Sequence, residues 1–127
     1  LRDIIARYGD DGFLKIENDV NKSIETENAV IATGGSAVYC TEAMEKYREN
    51  DIIVYIRLEY QELEKRLGNL KRRGVVLKDG QTLKDLYDER TPLYEKYAHI
   101  IVDSDNMGVE ELMDAVCSEL HKFGTAI

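Results

Sequence analysis

Between Lys65 and Arg73 the chain carries five cations (Lys65, Arg66, Lys71, Arg72 and Arg73) and no acid. The run stands out in a chain whose formal net charge is −8. Such a cluster suits a polyanion such as ATP. An arginine lowered onto a transferring phosphoryl group by a closing loop raises turnover by roughly 10³- to 10⁵-fold. A solvated basic face is the plainer account of the same charges. A second arginine, Arg90, stands just before Thr91-Pro92. Near the carboxyl edge of a sheet, a guanidinium can hold a carboxylate through two parallel hydrogen bonds. An ion pair with Asp88, Glu89 or Glu95 is the alternative. The third feature is Thr33-Gly34-Gly35-Ser36, which closes an apolar run. Bare backbone beyond the carboxyl end of a strand lets a ligand approach main-chain N–H groups. A tight strand-to-helix turn without a ligand uses the same residues.

Other reactive side chains point to less. Lys15 and Glu17 read as helix-surface charges. His99 and His121 have no companions at metal-ligand spacing, and no metal site is expected. Cys40 and Cys117 fit neither a metal nor a redox spacing and read as small apolar residues in a reducing cytosol. Tyr87, Tyr94 and Tyr97 recur at helical spacing and read as packing.

The elements that position these residues follow from periodicity. Apolar residues at Leu1, Ile4, Ile5 and Tyr8 predict a helix over 1–8 that stops at Gly9. Asp10 or Asp11 caps a second helix over 12–27, with Phe13, Ile16, Val20 and Ile24 as its stripe. Ala29, Val30, Ile31 and Ala32 form an unalternated apolar run, the pattern of a strand over 29–33 buried on both faces. Thr41 is read as the cap of a helix reaching Glu49, with Glu42 in its first turn. Residues 52–57, IIVYIR, are the clearest strand. A helix over 59–67 follows. The stretch 68–80, with three glycines and no clear period, reads as a loop long enough to be a lid. Thr82, with Asp85 three residues on, caps a helix running towards Ala98 that must bend or restart at Pro92. Residues 99–102 form a strand, 103–108 a turn and 108–123 an amphipathic helix; 124–127 read as a frayed tail. Strands and helices alternating at this spacing predict an α/β fold, with a parallel sheet and a right-handed crossover.

The bulk properties bound the class. A length of 127 residues suits one domain, here taken as residues 1–127. The acidic balance argues against nucleic acid or an anionic membrane as partner, since both require a basic face. No apolar run approaches 18 residues, and no signal peptide is evident. The expected setting is cytoplasmic. The chain starts at Leu1 inside a helical pattern, so it reads as part of a longer polypeptide.

Taken in order, these features resemble shikimate kinase, in the nucleoside-monophosphate-kinase-like branch of P-loop kinases. The likeness rests on Gly9-Asp10-Asp11-Gly12-Phe13 followed by Glu17, and on the apolar run ending in Thr33-Gly34-Gly35. It continues through Arg73-Gly74-Val75-Val76 to Arg90-Thr91-Pro92-Leu93-Tyr94 with Ala98. It spans essentially the whole chain, and the Thr-Gly-Gly and Arg-x-Pro-Leu-Tyr segments are its most specific parts. The resemblance implies a three-layer α/β/α fold with a parallel sheet and a lid. It implies transfer of the γ-phosphoryl group of ATP, with Mg²⁺, to a hydroxyl of shikimate or a related hydroxy acid, by a monomer acting on a small molecule. By resemblance, Gly34, Gly35 and Ser36 form the acceptor wall, Arg90 binds the acceptor carboxylate, and Phe13 and Glu17 border the pocket. Arg73 is the lid arginine that reaches the phosphates. Arg66 lies near the adenine, with Asp105 and Asn106 beside it.

Three departures bear on these roles. No G-x-x-x-x-G-K-[ST] occurs, so the phosphate cradle with its Lys and its Mg²⁺-holding Ser/Thr is expected upstream of Leu1, together with two strands. Without them the strands at 29–33 and 52–57 lose the neighbour between them, so these residues alone should fold poorly and be inactive. Leu14 stands where the family has a carboxylate-binding arginine, so Lys15 turns inward or the acceptor is not shikimate. Ser36 replaces a third glycine, and Gly74 stands where the lid has proline. A kinase of this fold with another acceptor, such as gluconate or a nucleotide, stays open. So does a ligand-binding module without catalysis.

Overall fold

The structure is a computed structural model and describes residues 2–67 and 80–124. Helix α1 spans Arg2–Ser23 and is interrupted at Gly9, whose φ of 74° and ψ of 177° are not helical. That break matches the stop read at Gly9. A left-handed φ with an extended ψ is open to glycine without a Cβ clash. The helix ends at Ser23, four residues short of the expected 27. Ser23 turns its hydroxyl back onto the Val20 carbonyl at 2.6 Å, a local bond that competes with continued helix.

The predicted strand at 29–33 is not formed. No ladder bond holds these residues among those described, and Val30 is 96% exposed. Only Ile31 packs on the core. An extended segment becomes a strand through a partner's N–H and C=O groups, and none of the described strands lies beside it. The segment leads into a 3-10 turn over Gly35–Tyr39 and then into α2, Thr41–Asn50. Cys40, not Thr41, is the N-cap of α2, and it gives no side-chain cap bond.

Strand β1, Val54–Arg57, pairs in parallel with β2, Ile100–Asp103, in register from Val54↔Ile100 to Arg57↔Asp103. Parallel pairing requires a crossover, which here contains α3, Tyr60–Arg66, and α4, Leu83–Tyr97. His99 closes the near end of the ladder. Its Nδ1 accepts from the Ile53 N–H at 2.9 Å, while its own N–H donates to the Ile53 carbonyl at 2.8 Å. Ser104 closes the far end, donating both its N–H and its hydroxyl to the Arg57 carbonyl at 2.9 Å.

Helix α4 starts on the capping box read from Thr82 and Asp85, with both reciprocal bonds present at 3.1 Å. It then runs through Pro92 without restarting, so of the expected bend or restart the second does not occur. Proline removes one N–H from the ladder, and the preceding Thr91 gives its hydroxyl to the Tyr87 carbonyl at 2.7 Å. Packing also holds both sides of the proline: Tyr94 stacks on Tyr55 of β1 at 5.0 Å, and Leu86 and Tyr97 are buried. Helix α5, Val109–Lys122, begins after Gly108 and packs on β2.

The core gathers Val38, Met44, Tyr47 and Tyr97, with Ile31, Ile53, Leu93 and Tyr94 against it. One polar pair is buried inside it. The Tyr47 hydroxyl donates to Asn21 Oδ1 at 2.7 Å, and Asn21 Nδ2 donates to the Glu17 carbonyl at 2.8 Å. Buried polar atoms satisfied in this way cost little and fix how α1 and α2 meet.

Candidate functional site

The Gly34–Tyr39 turn sits where α1 and α4 converge. From α1, Glu17 Oε1 accepts from the Ser36 hydroxyl at 2.7 Å. Its other oxygen lies 3.4 Å from where a Cβ on Gly34 would be. From α4, the Tyr94 hydroxyl donates to the Gly35 carbonyl at 2.8 Å. A Cβ on Gly35 would lie 3.0 Å from the Tyr94 oxygen and 3.1 Å from Arg90 Nη1. Neither glycine has a positive φ. Gly35 is therefore explained by close approach of side chains, not by backbone conformation. The same fact makes Ser36 compatible with the turn: it is buried and spends its hydroxyl on Glu17.

Arg90 reaches this turn from α4. Its Nε donates to the Tyr39 hydroxyl at 3.4 Å, and its guanidinium lies 5.2 Å from the Tyr39 ring centre. Its Nη2 is buried and has no hydrogen-bond partner among the described residues. A buried cationic N–H without an acceptor is costly, and native proteins rarely leave one so without a reason. Burial raises the Tyr94 phenol above its ordinary value, with Arg90 acting in the opposite direction. The phenol stays protonated at neutral pH and keeps its role as donor to Gly35.

The structure thus brings Glu17, Gly34, Gly35, Ser36 and Arg90 to one place. Phe13 is buried on α1 one turn before Glu17. Leu14 is half-buried, and its carbonyl receives the Cys40 thiol at 3.6 Å. Lys15 is exposed and has not turned inward to replace the arginine. Glu17 is more than a surface charge, since Ser36 holds it against the turn. Tyr39 and Tyr94 were the residues that sequence reasoning passed over. The Arg-x-Pro-Leu-Tyr segment already contained Tyr94, whereas nothing local marked Tyr39, whose partners lie about fifty residues on.

The residues read as nucleotide-side are less gathered. Arg66 pairs with Glu62 on its own helix at 2.9 Å. Asp105 accepts from the Glu59 N–H at 3.0 Å, and Asn106 holds a left-handed φ of 62° in the same turn. Arg73 and most of the 68–80 segment lie outside the described residues. A cavity of about 450 Å³ opens at the carboxyl ends of β1 and β2, lined by Arg57, Leu58, Glu59, Tyr87, Asp103 and Asp105. Its polar groups are largely taken: Arg57 forks onto Asp103, with Nη2 at 2.9 Å from Oδ2, and the Tyr87 hydroxyl donates to the Leu58 carbonyl at 2.7 Å. Among the described residues no group of three His, Cys, Asp or Glu side chains could hold a metal ion.

A model of the shikimate kinase family matches residues 1–121. The chain belongs to the shikimate kinase family. Curated shikimate kinases resemble it along most of its length. The Alteromonas mediterranea protein is 30% identical over 115 residues, covering 88% of this chain and 67% of that protein. The Dictyoglomus turgidum protein is 30% identical over 125 residues, covering 94% and 73%. The Oceanobacillus iheyensis protein is 32% identical over 123 residues, covering 94% and 66%. The shikimate kinase family has the P-loop kinase fold, and the parallel β1–β2 pair with its helices is α/β as that fold requires. Among the described residues no helix is long and apolar enough to cross a membrane.

Proposed function

We propose that the polypeptide containing these residues is a small-molecule kinase that phosphorylates a hydroxyl of shikimate or a related hydroxy acid. The observation that carries this reading is the buried Arg90 Nη2, without an acceptor, beside the Gly34-Gly35 turn. A carboxylate would supply that acceptor, and two parallel N–H···O bonds would orient it. Ser36 holds Glu17 at the same wall, where the carboxylate can accept from an acceptor hydroxyl. Tyr94 keeps the wall at fixed distance from α4. These residues bind and orient the acceptor, which is most of what a phosphoryl-transfer enzyme contributes on that side. ATP and Mg²⁺ belong to this reading through the family: ATP would supply the phosphoryl group and the cation would neutralise charge on its phosphates. The phosphate-side holders, with Arg73 as lid arginine, are assigned outside the described residues; Arg66, with Asp105 and Asn106 beside it, is assigned to the adenine side, and the polypeptide is taken as a cytoplasmic monomer.

Leu14 favours a second acceptor within the same chemistry. Losing one side of a buried charged contact costs about 2–5 kcal/mol, or about 30-fold to several thousand-fold in affinity. With Lys15 exposed, Arg90 is left as the carboxylate's main cation at this wall. An acceptor with its charge placed differently, such as gluconate or a nucleotide, is the alternative that this change supports.

The test is a coupled ADP-release assay on the full polypeptide with shikimate, gluconate and nucleoside monophosphates. Shikimate-stimulated turnover that falls at least a hundredfold in Arg90→Ala is the expected result. No stimulation at high shikimate removes shikimate as acceptor, and no stimulation by any acid removes the kinase reading.

A further inference from the structure

The Arg90 guanidinium is oriented, with its Nη2 buried, and that orientation has a visible cause. The 3-10 turn over Gly35–Tyr39 touches the guanidinium at both its ends: Gly35 lies under Nη1, and Tyr39 meets Nε. The Tyr39 hydroxyl donates its only proton to Glu89 Oε2 at 2.7 Å. Its oxygen lone pairs are then left to accept from Arg90 Nε. Gln81 Nε2 donates to the same Glu89 oxygen at 3.1 Å, which steadies the carboxylate. Glu89 and Arg90 are consecutive on α4, and adjacent helix residues do not face each other. The phenol bridges them, and its ring lies within cation–π reach of the guanidinium at 5.2 Å.

We infer that Tyr39 is the positioning residue for Arg90: it occupies Nε and one ring face, and so turns the Nη edge towards an anionic acceptor at the Gly34-Gly35 turn. The inference rests on the proposed role of Arg90 and adds what sets its direction. Without the hydroxyl, Nε loses its acceptor and the guanidinium swings among neighbouring carboxylates, whereas the ring alone still packs. Burial and Glu89 both raise the Tyr39 phenol from its ordinary value, so the hydroxyl stays protonated at neutral pH.

The experiment compares wild type with Tyr39→Phe in the full polypeptide, in both the Arg90 and Arg90→Ala backgrounds. Tyr39→Phe is expected to raise the acceptor KM about five- to tenfold. The kcat and the KM for ATP should stay within about twofold. The effect should vanish in the Arg90→Ala background and with an acceptor whose carboxylate is replaced by a carboxamide. An unchanged acceptor KM, or an equal shift in the Arg90→Ala background, overturns the inference. A second measurement needs no turnover. The Arg90 Nε–H proton, identified in ¹H–¹⁵N spectra by its loss in Arg90→Lys, should exchange slowly in wild type and rapidly in Tyr39→Phe. If wild type shows no acceptor-stimulated ADP release, the kinase reading fails and this exchange alone decides the positioning. Exchange unaffected by Tyr39→Phe overturns it.

Discussion

The Tyr94 hydroxyl donates to the Gly35 carbonyl at 2.8 Å, fastening the last turn of α4 to a glycine 59 residues earlier. Gly35 cannot gain a methyl group without pressing on that hydroxyl and on Arg90 Nη1, at 3.0 and 3.1 Å. Among the described residues, a Cβ on Gly34 would meet only Glu17 Oε2, at 3.4 Å, an ordinary contact. Gly35→Ala should therefore cost about 1 kcal/mol of stability and raise the acceptor KM about tenfold by displacing Arg90. Gly34→Ala should do markedly less on both counts. Paired thermal melts and steady-state kinetics check this, and equal effects of the two substitutions would contradict it.

The capping box at Thr82 and Asp85 gives a separate stability prediction. Both reciprocal bonds are made. Thr82→Ala removes the side-chain acceptor and should cost about 1 kcal/mol, measured by urea denaturation. Thr82→Ser should restore most of it, because the serine hydroxyl can accept the same N–H.

Cys40 and Cys117 should differ sharply towards thiol reagents. Cys40 is buried, and burial, with Glu17 adding to it, pushes its thiol up to about 11. The thiolate is the reactive form. At pH 8 a chromogenic disulfide should label the half-buried Cys117 first and Cys40 only on unfolding. The linkage has a fixed sign. With the folded value raised, the contribution is full below the ordinary thiol value near 9 and is lost as pH rises towards about 11. Cys40→Ser should remove that alkaline loss. Equal labelling rates for the two thiols would contradict the burial account.

At the other end of the scale stands Asp103. The Arg57 guanidinium holds its carboxyl below the ordinary carboxylate value. A lowered folded value gives stability that is present above the ordinary carboxylate range, about pH 4. It is lost as pH falls through the folded value. The pair is exposed, so the contribution is small and screened by salt. Asp103→Asn should flatten the acid limb of a stability–pH curve at low ionic strength and change little at pH 7. An unchanged acid limb would mean that the pair does not hold in solution.

What the sequence disclosed depended on whether the signal was local. The Gly9 break, the Thr82 box, β1 and α5 each rest on residues within a few positions of one another, and all were legible. The segment 29–33 misled, because its apolar run describes a strand only when a partner lies alongside, and Val30 instead meets solvent. At Pro92 the restart, one of the two outcomes expected there, does not occur. The helix persists because Tyr94 and Tyr97, beyond the proline, are anchored on Gly35 and in the core. At the site, Gly35 and Arg90 were visible as residue types. The Tyr39–Glu89–Arg90 arrangement was not, because it forms only when the 3-10 turn is brought against α4.

The last prediction concerns these residues by themselves. The described sheet has two strands, and a two-stranded sheet is at best marginally stable unless helices cover it. Here the cover is uneven. Ile56 and Ile101 on the strands are 48% and 39% exposed, and Val109 and Met113 on α5 are 78% and 60% exposed. Apolar residues on facing elements that still meet solvent contribute little of the roughly 25 cal/mol per Å² that burial supplies. Conformational entropy still opposes ordering every residue. A protein of residues 1–127 alone should therefore melt broadly, with no cooperative heat-capacity peak, and should bind a dye that reports exposed apolar surface. A cooperative, monomeric transition for residues 1–127 would show that the two strands and their helices suffice.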